Sequence, residues 1–173
     1  MIRILVTAGF AFALAACGEA KTPATLAVES STAEAHAANA KTADVAAWAK
    51  YVPWKSDLPE VVKTGSGLEY VVLASRPPGG VAPKAFEQAE VYYEGRLNAG
   101  GPAFDSAFER NETATFPVNA VVDGFSEALQ LMKPGDRWIC YLPYKLAYGE
   151  RGKGPIPPAA DLVFEIEMVS VQP

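Results

Sequence analysis

The sequence predicts an α+β fold: an antiparallel sheet of about five strands, its apolar face wrapped on one short α-helix, behind an Ala-rich N-terminal tether. Three observations carry this. Leu162, Phe164, Ile166 and Met168 interleave with Val163, Glu165, Glu167 and Val169, the period of two that marks a strand. Phe125, Leu129 and Met132 stand at i, i+4 and i+7, and Pro134-Gly135 follows them, which gives one helix and its stop. Strand-like runs do not alternate regularly with helices, which removes doubly wound and (β/α)8 arrangements.

Composition agrees. The chain has 173 residues, 50% hydrophobic and 20% charged, room for one ordinary domain plus an extra segment. That share of apolar residues is too high for a wholly disordered chain. A net charge of -5 lacks the basic surface of a general nucleic-acid binder. One His and two Cys are too few for the usual zinc spacings.

The elements follow in order. Met1-Ile2-Arg3 precedes the uncharged run from Ile4 to Ala16. That run is shorter than the roughly 20 residues a membrane-spanning helix needs, and it suits the apolar part of a signal peptide over residues 1–16. It ends Leu14-Ala15-Ala16-Cys17, which resembles the lipobox of bacterial lipoproteins. The resemblance implies cleavage before Cys17, lipidation of its thiol and acylation of the new N-terminus. Several acyl chains would anchor the protein stably. The plainer alternative is a secretory signal with an incidental Cys.

Residues 17–60 read as a lipidated N-terminus and a flexible or partly helical tether. Ser31-Thr32-Ala33-Glu34 fits a capping box, the Ala-rich stretch to Tyr51 favours helix, and Pro53 and Pro59 break it. Val45, Trp48 and Val52 are at helical spacing without a sustained heptad, so the expected state is a monomer. His36 stands without partners and is expected in solvent.

Residues 61–173 read as the domain. Gly65-Ser66-Gly67 is a turn, and Leu68 to Leu73 a strand. Arg76 to Gly80 is a loop, Glu90 to Leu97 a strand, and Thr113 to Pro117 a shorter one. The helix follows, then a strand from Arg137 to Leu142 with Trp138, Cys140 and Leu142 facing one way. Cys140 is expected as a buried core thiol. Glu165 and Glu167 fall on the outer face of the last strand and are expected to be solvated.

Much chemistry is absent from the domain. Its sequence holds no His, so triads built on His are not available. No Gly-rich loop is followed by Lys-Ser or Lys-Thr. Activity has to come from a pocket of apolar and aromatic groups with few polar ones.

Several ordered blocks then resemble the FKBP-type peptidyl-prolyl cis-trans isomerases. They are Gly67 to Tyr70, Val91-Tyr92-Tyr93-Glu94-Gly95, Phe104-Asp105-Ser106, Val121 to Leu129, Leu146 to Gly152 and Ile156 to Ile166. Together they cover about 63–171 and look like the exported bacterial lipoprotein branch. The resemblance implies a strongly curved sheet around the helix and a pocket between them. It implies Asp105, Tyr148 and Tyr93 as catalytic residues, with Phe104, Val121, Val122, Phe125, Ile156 and Phe164 binding substrate. Arg110 and Phe116 would support them.

It further implies isomerisation of X-Pro bonds in unfolded or exported proteins, no cofactor and no metal, and susceptibility to the family's macrolide inhibitors. The place would be the cell envelope, lipid-anchored and facing the periplasm or outside. Three departures stand out: the floor residue, commonly Trp, is Phe125; Ala114 stands where some members have an aromatic wall; and the short loop Glu150 to Pro155 carries Lys153, with Pro155 where some members have a second Ile. The first two reduce aromatic area. A membrane-tethered chaperone that holds proline segments with little turnover is the alternative.

Overall fold

A computed structural model describes residues 42–77 and 80–173. The expected signal peptide, Cys17, the capping box and His36 lie outside the described residues.

The elements are α1 (Val45–Tyr51), β1 (Val62–Lys63), β2 (Glu69–Ser75), β3 (Gln88–Leu97), β4 (Asp105–Ser106), α2 (Ala107–Arg110), β5 (Ala114–Pro117), α3 (Asp123–Leu131), β6 (Asp136–Leu142) and β7 (Leu162–Gln172). The strands form one antiparallel sheet in the order β1-β2-β6-β7-β3-β4, with β5 also paired to β3. That is seven strands rather than about five. The additional β1 and β4 have two residues each, too few to show an alternation in sequence.

Strands β3 and β7 are the long central pair, in register from Gln88 opposite Gln172 to Leu97 opposite Leu162, with a bulge between Glu90 and Val91. The bulge adds local bend and twist to the sheet. The inner face carries Leu68, Trp138, Cys140, Leu142, Phe164 and Ile166 against Phe125, Ala128, Leu129 and Met132 of the α3 region. A Cβ on Gly124 would stand 2.7 Å from Leu142 Cγ, so the bare backbone there lets α3 seat closely on the sheet. Cys140 is buried as expected, and burial pushes its thiol up.

The outer face departs from expectation. It is covered, not solvated. Asp44 caps α1, accepting the N–H groups of Ala46 and Ala47 at 3.0 and 3.1 Å. The helix then lays Ala47, Trp48 and Tyr51 over Val71, Ile139 and Val163. Glu165, expected in water, is 0% exposed. It pairs with the Arg137 guanidinium and accepts the Asp44 N–H at 3.0 and 3.2 Å. Burial raises its carboxyl, and Arg137 opposes that rise. Arg137 also donates to the Thr42 carbonyl at 3.0 Å.

Glu167, its neighbour on the same face, lies 3.5 Å from Arg137. Arg96 sits over the Trp48 ring at 4.8 Å. Trp54 donates its backbone N–H to Asn98 and its indole N–H to Glu69, both at 2.7 Å. Residues 42–60, assigned from sequence to the tether, are in this part a strap across the sheet. The charges they cover cost free energy when buried alone, and the pairing and hydrogen bonds offset that cost.

Candidate active site

The site forms where the first turn of α3 meets the inner face of the sheet. Val122 is the N-cap of α3, and the helix turns Phe125 inward to 4% exposure. Three aromatic rings pack on Phe125 edge to face, and a fourth, Phe104, packs on one of them. The Phe125 centroid lies 5.2 Å from Phe164 and 6.1 Å from both Tyr93 and Phe116, at interplanar angles near 80°. Phe104 meets Phe164 at 5.7 Å and 85°. Such arrangements set the positive ring edge on the negative ring face.

Gly95 makes the wall possible. A Cβ there would come within 2.5 Å of the Phe104 ring and 2.6 Å of the Phe164 ring. No side chain fits, so Phe164 of β7 and Phe104, just before β4, can meet over β3 at this point. The Phe104 N–H donates to the Gly95 carbonyl at 2.9 Å and holds the approach.

Asp105 follows Phe104 directly. Ser106 then accepts the Glu109 N–H at 3.1 Å and starts the single turn of α2, which Asn111 ends in the left-handed region at φ 52°. That turn carries Arg110 back so that its guanidinium donates to Asp105 at 2.7 Å. The Tyr93 hydroxyl donates to the other Asp105 oxygen. Burial alone would raise the Asp105 carboxyl, but the Tyr93 hydroxyl and Arg110 outweigh it and hold the group below its ordinary value. Tyr93 is pushed up to about 12, first by burial and then by its bond to Asp105.

Tyr148 forms the opposite bank, between two 3-10 turns at Tyr144–Leu146 and Gly149–Arg151. Asp161 holds the start of this arm. It accepts the Tyr144 N–H and the Tyr141 hydroxyl, both at 2.8 Å. Among the described residues the Tyr148 hydroxyl has no hydrogen-bond partner, so its donor is available to a ligand.

These residues enclose a cavity of about 260 Å3. It lies just below the 300–1,000 Å3 typical of drug-sized ligands and suits one small ring with its flanking atoms. Of the residues expected at the site, Tyr93, Phe104, Asp105, Phe116, Val121, Val122, Phe125, Tyr148 and Phe164 line the cavity. Arg110 stands behind Asp105. Ile156 does not line it; it is buried in the core beside it. Its backbone exchanges hydrogen bonds with Lys153 at 2.9 and 3.0 Å, which turns the side chain of Lys153, not of Ile156, to the cavity mouth.

Ala120 also lines the cavity, and it carries no chemical signal in sequence. Lys153, noted in sequence as the cation of the short loop from Glu150 to Pro155 but given no role there, lines it as well. Phe116, two residues beyond Ala114, supplies an aromatic ring to the lining, while Ala114 does not line the cavity. A wider groove of about 580 Å3 runs between residues 81–84 and 169–171 but has no aromatic lining.

The cavity holds no nucleophile with an adjacent base. Asp105 accepts from Tyr93 on one oxygen and from Arg110 on the other, and the two donors favour its ionised form. An antiparallel sheet wrapped on one helix, with a largely aromatic pocket between them, is the architecture of one family of proteins. The chain belongs to the FKBP-type peptidyl-prolyl cis-trans isomerase family, which matches it over residues 79–169.

It is 44% identical over 123 residues to a macrophage infectivity potentiator of Trypanosoma cruzi, covering 70% of this chain and 62% of that protein. It is 42% identical over 123 residues to the FKBP-type 22 kDa peptidyl-prolyl cis-trans isomerase of Escherichia coli, with 70% and 58% covered. The chain thus spans about three fifths of the length of these curated relatives. Among solved structures, FkpA from Escherichia coli aligns with a TM-score of 0.65 at 31% identity, over 83% of this chain and 64% of that one. A peptidyl-prolyl cis-trans isomerase from Pseudomonas syringae aligns at 0.63 and 32% identity, over 75% and 93%.

Proposed function

We propose that the protein accelerates cis-trans rotation about X-Pro bonds in exported polypeptides. One observation carries the reading: the closed set of aromatic rings around Phe125, with the Asp105 carboxylate held at its edge by Tyr93 and Arg110. Rotation about a peptide bond faces a barrier of about 18–20 kcal/mol from amide resonance. No bond breaks, so neither nucleophile nor metal is required. The twisted amide has lost resonance and is less polar than the planar one. A dry aromatic pocket therefore favours the twisted form relative to the planar one.

In this mechanism Phe125 is the floor for the proline ring, and Phe104, Phe164, Tyr93 and Val121 enclose it. The Tyr148 hydroxyl and the Val122 N–H donate to peptide carbonyls and hold the chain on either side. Asp105 faces the rotating carbonyl as a fixed charge. A barrier lowered by about 5 kcal/mol gives an acceleration of several thousandfold.

The folded unit is proposed to include the strap from residue 42, with the expected lipid on Cys17 holding the protein to the cell envelope. A 39% identical relative from Legionella longbeachae bears the name outer membrane protein MIP, which supports an envelope setting. The test is the rate of X-Pro isomerisation in a protease-free peptide assay, together with proline-limited refolding of a model substrate. Acceleration of both is expected. Binding of the peptides with no acceleration would make the domain a proline-segment binding module instead.

A further inference from the structure

The cavity lining includes two side chains that carry charge, Asp105 and Lys153. Asp105 is satisfied internally by Arg110 and Tyr93. Lys153 is not: among the described residues no carboxylate stands within 4 Å of its ammonium, which lies 5.5 Å over the Tyr148 ring.

Its backbone is closely held. The paired hydrogen bonds to Ile156 close the loop, and Ile156 is anchored in the core. Gly152 has φ 66°, and a Cβ on it would strike the Ile156 carbonyl oxygen at 2.3 Å, so the loop is drawn tight at this point. An unpaired cation is therefore presented at the mouth of an apolar pocket, over the tyrosine that offers a donor to the substrate.

Resting on the isomerase reading, we propose that Lys153 is a specificity-determining residue that selects X-Pro segments with an acidic side chain next to the proline. A carboxylate there meets a cation that needs no partner broken to receive it. The same cation repels a Lys or Arg at that place. Asp105, the other charge in the lining, is offset by the Arg110 guanidinium paired with it, whereas no carboxylate among the described residues offsets Lys153.

A partly exposed ion pair of this kind gives about a two- to fivefold preference. The test compares catalytic efficiency on peptide pairs that differ only as Glu against Gln, placed before and after the proline, with a Leu-Pro peptide as reference. The parent protein should favour Glu about two- to fivefold in at least one of the two positions at low salt, and the ratio should fall toward one at 1 M salt. K153Q should bring the ratio to one, and K153E should reverse it, each with an unchanged melting temperature.

A ratio of one in the parent, or the same ratio in parent and K153Q, overturns the proposal while leaving the isomerase reading intact. Failure to accelerate even the Leu-Pro peptide overturns the isomerase reading. The affinities of the same Glu and Gln pairs, measured by calorimetry, then decide the charge preference on their own.

Discussion

Asp105 accepts from Arg110 on one oxygen and from Tyr93 on the other, which holds it in place as a carboxylate. Its role is therefore that of a fixed charge and a positioning group, and Asp105→Leu should lower turnover severalfold while the melting temperature stays within a degree or two. Its ion pair is about half exposed, so its loss costs little stability. The sign of its pH dependence follows from its lowered value. An unfolded aspartate titrates near ~3.9, so the pair's small contribution is complete above that and fades as pH falls through the native value. At the other end, Tyr93 stands at about 12, and burial followed by the Asp105 charge raises Tyr148. None of these three groups titrates between about pH 5 and 9, so catalytic efficiency on an uncharged peptide should be flat across that range. A bell-shaped profile there would point to an acid-base step and against the mechanism. Tyr148→Phe removes one donor worth about 0.5–1.5 kcal/mol and should cost up to roughly tenfold in peptide affinity or rate. If both variants fold normally and turn over like the parent, the pocket has been wrongly assigned.

At the scale of elements, the inner face was legible and the outer one was not. Alternation in β7 separates Phe164 and Ile166 from Glu165 and Glu167, but a period of two says only that there are two faces. It cannot say that Asp44, 121 residues earlier, returns to cover the second. The Ala-rich composition of the strap hid this further, because Trp48 and Tyr51 are its only large anchors within α1. The same limit explains Ile156. Sequence placed it near the pocket, while the tight turn at Gly152 decided that Lys153 would reach the mouth. Trp48→Ala tests the strap. Aromatic truncation in a core costs about 3–5 kcal/mol. The Trp48 indole N–H is buried without a partner among the described residues, so the lower end, about 3 kcal/mol, is expected. Activity per folded molecule should not change, because the pocket lies on the other face. Likewise, a chain beginning at residue 61 should unfold at a lower temperature than one beginning at 42, since it exposes Val71, Ile139 and Val163 and leaves Glu165 uncovered.

Over the whole molecule, the site was readable because its parts sit in short, ordered blocks around Phe104-Asp105, Val121-Val122 and Tyr148, while Lys153 could be noticed in its loop but placed at the mouth only in three dimensions. Cys17→Ser should release the protein from membranes and leave isomerisation by the domain unchanged; fractionation checks the first and the peptide assay the second. Firm attachment of the variant would end the lipoprotein reading. The strap has a mechanical meaning as well. Its attachments follow one another along the chain, from Thr42 on Arg137 and Asp44 on Glu165 to Trp48 under Arg96 and Trp54 on Asn98. A pull on residue 42 therefore loads them in series and peels them singly, whereas the ladder between β3 and β7 meets the same force along its length. The strap is expected to detach before the sheet and lengthen the tether, leaving the pocket on the far face intact, and a force-extension measurement on the chain pulled from residue 42 checks the order.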